Sequence, residues 1–328
     1  MKAYKLKFHS SIHLDSGTAV DGPSELFIKS DTLFSAICSA AGKFYGVKIA
    51  EAFLQPEAVI ISSAFPFVKK ELFFPKPLNY YPIIDDYDMI KEFKKVKFIS
   101  KEYLEQILRG NSIESSFIKK EFILNGCWKT DKSNKYDLIF KINENPHIAL
   151  DRVTNSTQIF YKTEVYFAKD AGLFFLADIK EELINKFETV LRFLGDEGIG
   201  ADRTIGKGLF EVEEVKNFSF INNKTSNSFY LLSLYSPSKT EFISILPKES
   251  FYDFDIRKGW VSNNTLRRKS LRMFTEGSII KMKSSLIPKG VINKALSKND
   301  FPDDLKTDIF RSGQAISIPC NGGLDGNN

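Results

Sequence analysis

Four glycines fall within eleven residues, at Gly198, Gly200, Gly206 and Gly208, in the spacing G-x-G-x5-G-x-G. Glycine costs backbone entropy, so such a cluster needs a reason. It permits positive φ and close backbone approach, and successive amide N–H groups can then converge on one anion. Arg203 and Lys207 add two positive charges inside the same run. A tight helix-to-strand connection is the plain explanation for one glycine pair; this spacing with two cations points to a polyanion site. A P-loop needs G-x-x-x-x-G-K-[ST] after a strand and opening a helix. Here five residues separate Gly200 from Gly206, Lys207 is followed by Gly208, and the run comes after a helical stretch. ATP binding of that type is disfavoured, and the dinucleotide fingerprint fails the same context test. An RNA backbone fits better, because a flexible cradle with cations can follow several phosphates without reading sequence.

Other reactive residue types are sparse. His9 and His13 follow the first strand pattern, but cleavage of RNA needs a base on the 2′-OH, an acid on the leaving oxygen and a cation on the phosphate. Two histidines in a polar segment do not make that set, so RNA contact or plain solvation is expected of them. Asp85, Asp86 and Asp88 lack the glycine-turned loop and terminal Glu of a calcium site. Cys38, Cys127 and Cys320 are odd in number and far apart. They fit neither a disulfide framework nor a zinc cluster, so no metal or cofactor is expected and a reducing, cytoplasmic setting is.

The elements that would position the glycine run are legible. Tyr4, Leu6 and Phe8 alternate with Lys5, Lys7 and His9, as in a half-buried strand with a basic outer face. Ser30 or Asp31 can cap a helix whose apolar stripe is Leu33, Phe34, Ile37, Ala40, Ala41 and Phe44, with Gly46 as its stop. Val59–Phe65 reads as the next strand. Residues 66–145 read as an irregular insertion with extended surface segments at Phe73–Pro77 and Tyr80–Pro82. Ala149–Phe167 reads as strand, turn and strand, turning near Asn155. Leu173–Ala177 is a short strand. A helix capped by Asp178 with Glu181 in a capping box carries Leu183, Ile184, Phe187, Val190, Leu191 and Leu194 on one face and stops at Gly195. The glycine run leads from it into a strand at Phe210–Val212. Further strands fall at Phe229–Leu234, Ser278–Met282 and Ala315–Ile318.

The fold class is therefore α+β, and 328 residues suggest two domains, 1–221 and 222–328. Lys and Arg exceed Asp and Glu by 46 to 41, a mild excess that permits a polyanion partner. The distribution is more telling. Between Asp255 and Lys289 nine basic residues face only two acidic ones, and Arg267-Arg268-Lys269 form its densest run. That run suits an RNA phosphate, an acidic partner or solvent. The N-terminus has no apolar signal core, and no run of 18 apolar residues occurs, so no membrane span is expected.

The helix–GxGxxxxxGxG–strand unit resembles the signature of the RAMP superfamily of CRISPR proteins. Ser30-Asp31-Thr32-Leu33-Phe34-Ser35-Ala36 resembles the family's first-helix motif. The hairpin with Asp151-Arg152 and Tyr161-Lys162-Thr163-Glu164 resembles a thumb-like hairpin. Gly259-Trp260, Arg267-Arg268-Lys269 and Phe274–Ser278 resemble the C-terminal half of one subgroup, the Csm subunit of type III-A effector complexes that holds the 5′ handle of the guide RNA (crRNA). The resemblance covers nearly the whole chain and is weakest over 66–145. It implies two ferredoxin-like (RRM-like) domains with a thumb hairpin at about 149–167, and no nuclease centre. It also implies pairing with the large polymerase-like subunit and contact with the neighbouring backbone subunit. By position, Gly198, Gly200, Arg203, Thr204, Gly206, Lys207 and Gly208 would cradle the handle, and Arg152, Thr154, Asn155 and Gln158 would lie on the thumb near RNA. The rival expectation is a metal-independent endoribonuclease that processes crRNA with His9 or His13.

Overall fold

The computed structural model describes residues 1–14, 27–130, 136–220, 226–261, 266–284, 286–301 and 307–321. In the N-terminal part, β1 (Lys2–Phe8) leads to helices α1 (Ser30–Tyr45) and α2 (Val47–Phe53), then to β2 (Val59–Ile61), β3 (Phe65–Val68) and β4 (Glu71–Pro75). Next come α3 (Tyr87–Lys94), β5 (Phe98–Ser100), α4 (Lys101–Leu108), β6 (Ile123–Leu124) and β7 (Cys127–Trp128). A long hairpin, β8 (Phe140–Leu150) and β9 (Thr157–Phe167), precedes β10 (Ala171–Ile179), α5 (Ile184–Glu197) and β11 (Phe210–Glu214). The C-terminal part holds β12 (Ser228–Leu231), α6 (Lys239–Ser244), β13 (Phe254–Arg257), β14 (Leu271–Phe274), β15 (Ile279–Lys281), β16 (Ile292–Leu296), β17 (Ile309–Ser312) and β18 (Ser317–Cys320).

One nine-stranded sheet runs β11-β1-β10-β3-β4-β5-β7-β6, with β2 also paired to β10. Four of its strands, in the order β11-β1-β10-β2, are antiparallel neighbours. Helices α1 and α5 touch each other beside these strands. Leu33, Phe34 and Ile37 of α1 and Phe187, Val190 and Leu191 of α5 are buried. Tyr4 on β1 meets Phe175 of β10 and Phe187 of α5. The expected basic outer face of β1 is wrong at Lys5, which is buried. Its ammonium donates to the Lys69 carbonyl at 2.7 Å and lies over the Phe67 ring, and burial pulls its pKa down. A strand with sheet neighbours on both sides can have both faces covered, and alternation then misleads.

Other boundaries move for similar reasons. Lys29, not Ser30 or Asp31, is the N-cap of α1. Asp178 lies in β10, and α5 begins at Ile184 after a single 3-10 turn, so the expected capping box is absent. That helix passes Gly195 and ends on Gly198. The hairpin starts nine residues earlier than expected, at Phe140. Phe44 is half exposed at the end of α1. The expected boundary near Asn222–Asn227 lies mostly outside the described residues.

The described residues of the 66–145 stretch are no loose insertion. Phe73, Phe74, Phe98, Ile99 and Trp128 are fully buried and continue the main core. The Trp128 ring packs 4.4 Å from Tyr103 and 5.1 Å from Phe93, and its indole donates to the Phe117 carbonyl. Phe73–Pro77 therefore begins as a core strand, and Tyr80 is buried while Tyr81 is exposed.

β12 joins the two parts. It is the middle of a three-stranded sheet, β15-β12-β18. Tyr230 and Leu232 belong to the main core, while Phe229 and Leu231 belong to a second cluster with Tyr235, Phe274 and Ile280. Polar contacts close the same junction. Asp31, at the start of α1, accepts from Arg257 at 3.1 Å and also contacts Arg311. Burial alone would raise the Asp31 carboxyl, but the two guanidinium groups outweigh it and hold the pKa below the usual carboxylate range. Lys29 pairs with Glu276 at 3.0 Å, and the Ser30 hydroxyl accepts from the Leu234 amide. Removing one partner of such a buried set strands the others without compensation. Asp31→Ala is predicted to cost about 3–5 kcal/mol, measured by equilibrium denaturation; a loss under 1 kcal/mol would show that the junction does not depend on this carboxylate.

Candidate nucleic-acid interface

The glycine run folds against the segment after β1 and against the root of the long hairpin. Three glycines serve packing. A Cβ on Gly208 would stand 1.9 Å from the Ile199 carbonyl, and one on Gly200 would stand 2.6 Å from the His13 carbonyl. Gly198 closes α5. Gly206 differs: its φ is +82°, yet nothing lies within 4 Å of where a Cβ would sit. The expected row of anion-facing amides is much reduced. The amides of Ile199, Ala201, Ile205, Gly206, Lys207 and Gly208 already donate to carbonyls within the loop or to His13 and Ser11. Asp202 and Gly206, both left-handed, bracket one tight turn that displays Arg203, Thr204 and Ile205 to solvent.

The two cations of the run separate. Lys207 donates to Glu164 and to Ser11, each at 2.8 Å. Glu164 is buried on β9 and also accepts from Ser11 at 2.7 Å and Tyr166 at 2.8 Å. Burial would raise its carboxyl; the three donors outweigh it and hold the pKa at about 2. A second pair, Lys162 with Asp202 at 2.7 Å, closes the same contact. Lys207 is thus a lock between loop and hairpin, which corrects its expected role as a free phosphate contact. Arg203 has no carboxylate within ion-pair distance among the described residues.

Arg203 stands at a cleft of about 330 Å³ between the glycine run and α1. Gly200 and Ala201 form one wall, and Thr32, Ser35 and Ser39 form the other, with His13, Lys29 and Arg257 also on the lining. Thr32, Ser35 and Ser39 recur at i, i+3 and i+7, a polar stripe beside the apolar one. That stripe is legible in the sequence. Arg257 is 54 residues past Arg203 in the chain and carried no local sign of its place here. The ring nitrogen Nδ1 of His13 donates to the Thr163 carbonyl at 2.6 Å, which fixes the imidazole against the hairpin. His9 sits apart, 3.5 Å from Glu211, and does not line the cleft.

The hairpin-tip residues are not gathered at this cleft. Gln158 precedes Glu164 by six residues on β9, or about 20 Å of strand. Arg152, Thr154 and Asn155 occupy the exposed turn beyond it, with Thr154 bonded to Ser156 and Asn155 at φ +54°. In the C-terminal run, Arg267 and Lys269 are exposed. Arg268 is half-buried near Arg311 and Asp31, and burial lowers its pKa, so it belongs to the junction and not to an open phosphate surface. Cys38, Cys127 and Cys320 are all free thiols, with Cys38 and Cys320 pushed up to about 12 by burial. Among the described residues no group of three or more His, Cys, Asp or Glu side chains could hold a metal, and Asp86 of the acidic cluster caps α3. No helix is long and apolar enough to cross a membrane among the described residues.

The RAMP superfamily model matches residues 5–211, and the model of the CRISPR Csm4 C-terminal domain matches residues 224–320. The chain is 28% identical to the CRISPR system Cms protein Csm4 of Thermococcus onnurineus, over 79% of this chain and 84% of that one. It is 24% identical to the protein of the same description from Methanocaldococcus jannaschii, over 98% and 97%. In fold it is similar to a chain of a Csm3–Csm4 subcomplex of the type III-A CRISPR-Cas interference complex. That match has a TM-score of 0.65 at 20% identity and covers 98% of this chain and 100% of the other. It is also similar to a chain of a Csm1–Csm4 cassette in complex with cA4, with a TM-score of 0.61 at 20% identity over 98% and 97%.

Two predictions follow from the loop geometry. Gly208→Ala should cost about 3 kcal/mol, because overpacking adds to left-handed strain. Gly206→Ala should cost only about 1–2 kcal/mol from strain alone; equal losses in a denaturation series would contradict the assigned packing. Glu164 has its folded pKa depressed below the unfolded value of about 4.3. Its contribution is therefore full above that value and lost as pH falls through about 2. Glu164→Gln should lack this acid-range loss of stability, and a superimposable pH profile would refute the lock.

Proposed function

Because the chain belongs to the RAMP superfamily and its C-terminal part matches the Csm4 C-terminal domain, we propose that it anchors the 5′ handle of the crRNA within a type III-A interference complex and cleaves nothing itself. The observation that carries this is the cleft between the glycine run and α1. Its rim holds Arg203, an arginine with no carboxylate partner among the described residues, and its walls offer hydroxyls, a glycine-lined backbone and a fixed imidazole. These groups suit a sugar–phosphate chain, and they stand beside an apolar lining of Leu14, Phe27, Ile28, Ala36 and Ile199. The strand order β11-β1-β10-β2 with α1 and α5 supports a ferredoxin-like first domain over 1–221. The sheet β15-β12-β18 with α6 supports a second, abbreviated one over 222–328. Solved relatives occur with Csm3 and with Csm1. This chain is assigned the same neighbours, a backbone subunit and the large polymerase-like subunit, in the cytoplasm and without a membrane partner.

His13 gives the endoribonuclease alternative its one foothold, since it lines the cleft. Two measurements decide. Binding of handle RNA across a salt series should weaken in Arg203→Ala, with the salt slope falling by about 0.7 for one lost single-strand phosphate contact. Lys207→Ala should leave the slope unchanged, because its charge is spent on Glu164. An unaltered slope in Arg203→Ala would count against the cleft as the phosphate site. Incubation with repeat RNA and excess chelator should yield no cleavage; turnover abolished by His13→Ala or His9→Ala would make the chain an enzyme.

A further inference from the structure

We propose that the outer face of the β13–β14 ribbon is a second single-stranded RNA platform, on which bases stack on Trp260 and Phe254 while Arg267 and Arg272 meet the phosphates. This rests on the chain being an RNA-binding subunit and adds a site separate from the handle cleft. The ribbon has two unlike faces. Phe254 pairs with Phe274 and Ile256 with Arg272, and the alternate residues Asp255 and Arg257 turn inward to the Lys29 and Asp31 junction. Beyond β13 a bridge joins Trp260 to Arg267. The outer face therefore carries Phe254 and Ile256, which are 41% and 49% exposed, and Trp260, 54% exposed, follows the end of the strand.

Each aromatic anchor is already paired with a cation. Arg267 lies 5.9 Å over the Trp260 ring, and Arg272 lies 5.7 Å over Phe254. Arginine stacked on an aromatic face keeps its N–H groups free at the plane's edge, where a phosphate can be met. Lys258 and Lys269 flank the row and are exposed. Among the described residues none of these four cations has a carboxylate within ion-pair distance, and the nearby exposed acid, Asp253, accepts from the Phe254 amide. Alternating aromatic rings and unneutralised cations match single-stranded nucleic acid, whose bases offer π-faces at every step. A protein-interface core is depleted of lysine and would have to supply acidic groups against all four charges. The charge balance favours RNA. The ribbon also continues from the cleft, because Arg257 of β13 lines it from the opposite face of the same strand.

The protein offers its own reporter. Of its two tryptophans, Trp128 is fully buried and Trp260 is exposed. Titrating the full chain with a single-stranded oligoadenylate should quench Trp260 emission, and a duplex of equal length should quench it less. Trp260→Leu should weaken binding about tenfold, the loss of one stacked base, while Trp260→Tyr keeps most of it. Both variants sit at an exposed position, and circular dichroism checks their fold. If RNA shifts the protein's mobility while Trp260 emission stays constant, the platform is overturned and the handle cleft stands. If Trp260→Leu binds RNA normally but no longer co-purifies with the large subunit, the ribbon is a protein contact and the proposal fails. If the wild-type chain binds no RNA at all, the platform and the handle reading fail together.

Discussion

The buried carboxylate of Asp31 is the constraint on which the rest depends. A charge this deep is tolerated only if counter-charges reach it, and Arg257 and Arg311 must come from the other half of the chain to do so. That requirement seats the C-terminal part on the N-terminal end of α1. Around it, Lys29 meets Glu276, and the Ser30 hydroxyl meets the Leu234 amide. Apolar burial along both faces of β12 supplies the bulk of the contact, but it is non-directional. The ion pairs give the junction its register. They also bring Arg257 to the wall of the cleft and aim the outer face of the ribbon at solvent.

A second lock is built on the same physics at smaller scale. Glu164 collects Lys207, Ser11 and Tyr166, so the long hairpin, the segment after β1 and the glycine run become one body. The glycines make that possible by letting backbone pass against backbone. The effect is a division of labour among charges. Lys207, Lys162, Arg257 and Arg268 face inward and hold geometry, whereas Arg203, Arg267, Lys269 and Arg272 remain exposed. Only the second group is left to face solvent, held in place by the first.

Much of this was legible from residue pattern, and the failures have common causes. The stripe of α1, the strand at Phe210 and the helix before the glycine run are legible because their periodicity is local. The strands of residues 66–145 are not legible in the pattern because Phe73, Phe74 and Trp128 are covered on all sides and show no alternation. Asp178 and Glu181 imitated a capping box, yet the chain there was already committed to β10 by its pairing with β2. The polar stripe of Thr32, Ser35 and Ser39 was visible but had no meaning until the glycine run came to face it.

The sequence by itself determined the α+β class, the glycine run with its positive-φ positions, and the family resemblance, because each depends on neighbouring residues. Which cations are free was decided by tertiary structure alone. Lys207 finds Glu164 from 43 positions away, and Arg311 finds Asp31 from 280. Local pattern carries no trace of partners at that separation. Burial then sets the cost of leaving either one unpaired, so folding consumes those charges, and only what it leaves over can meet a ligand.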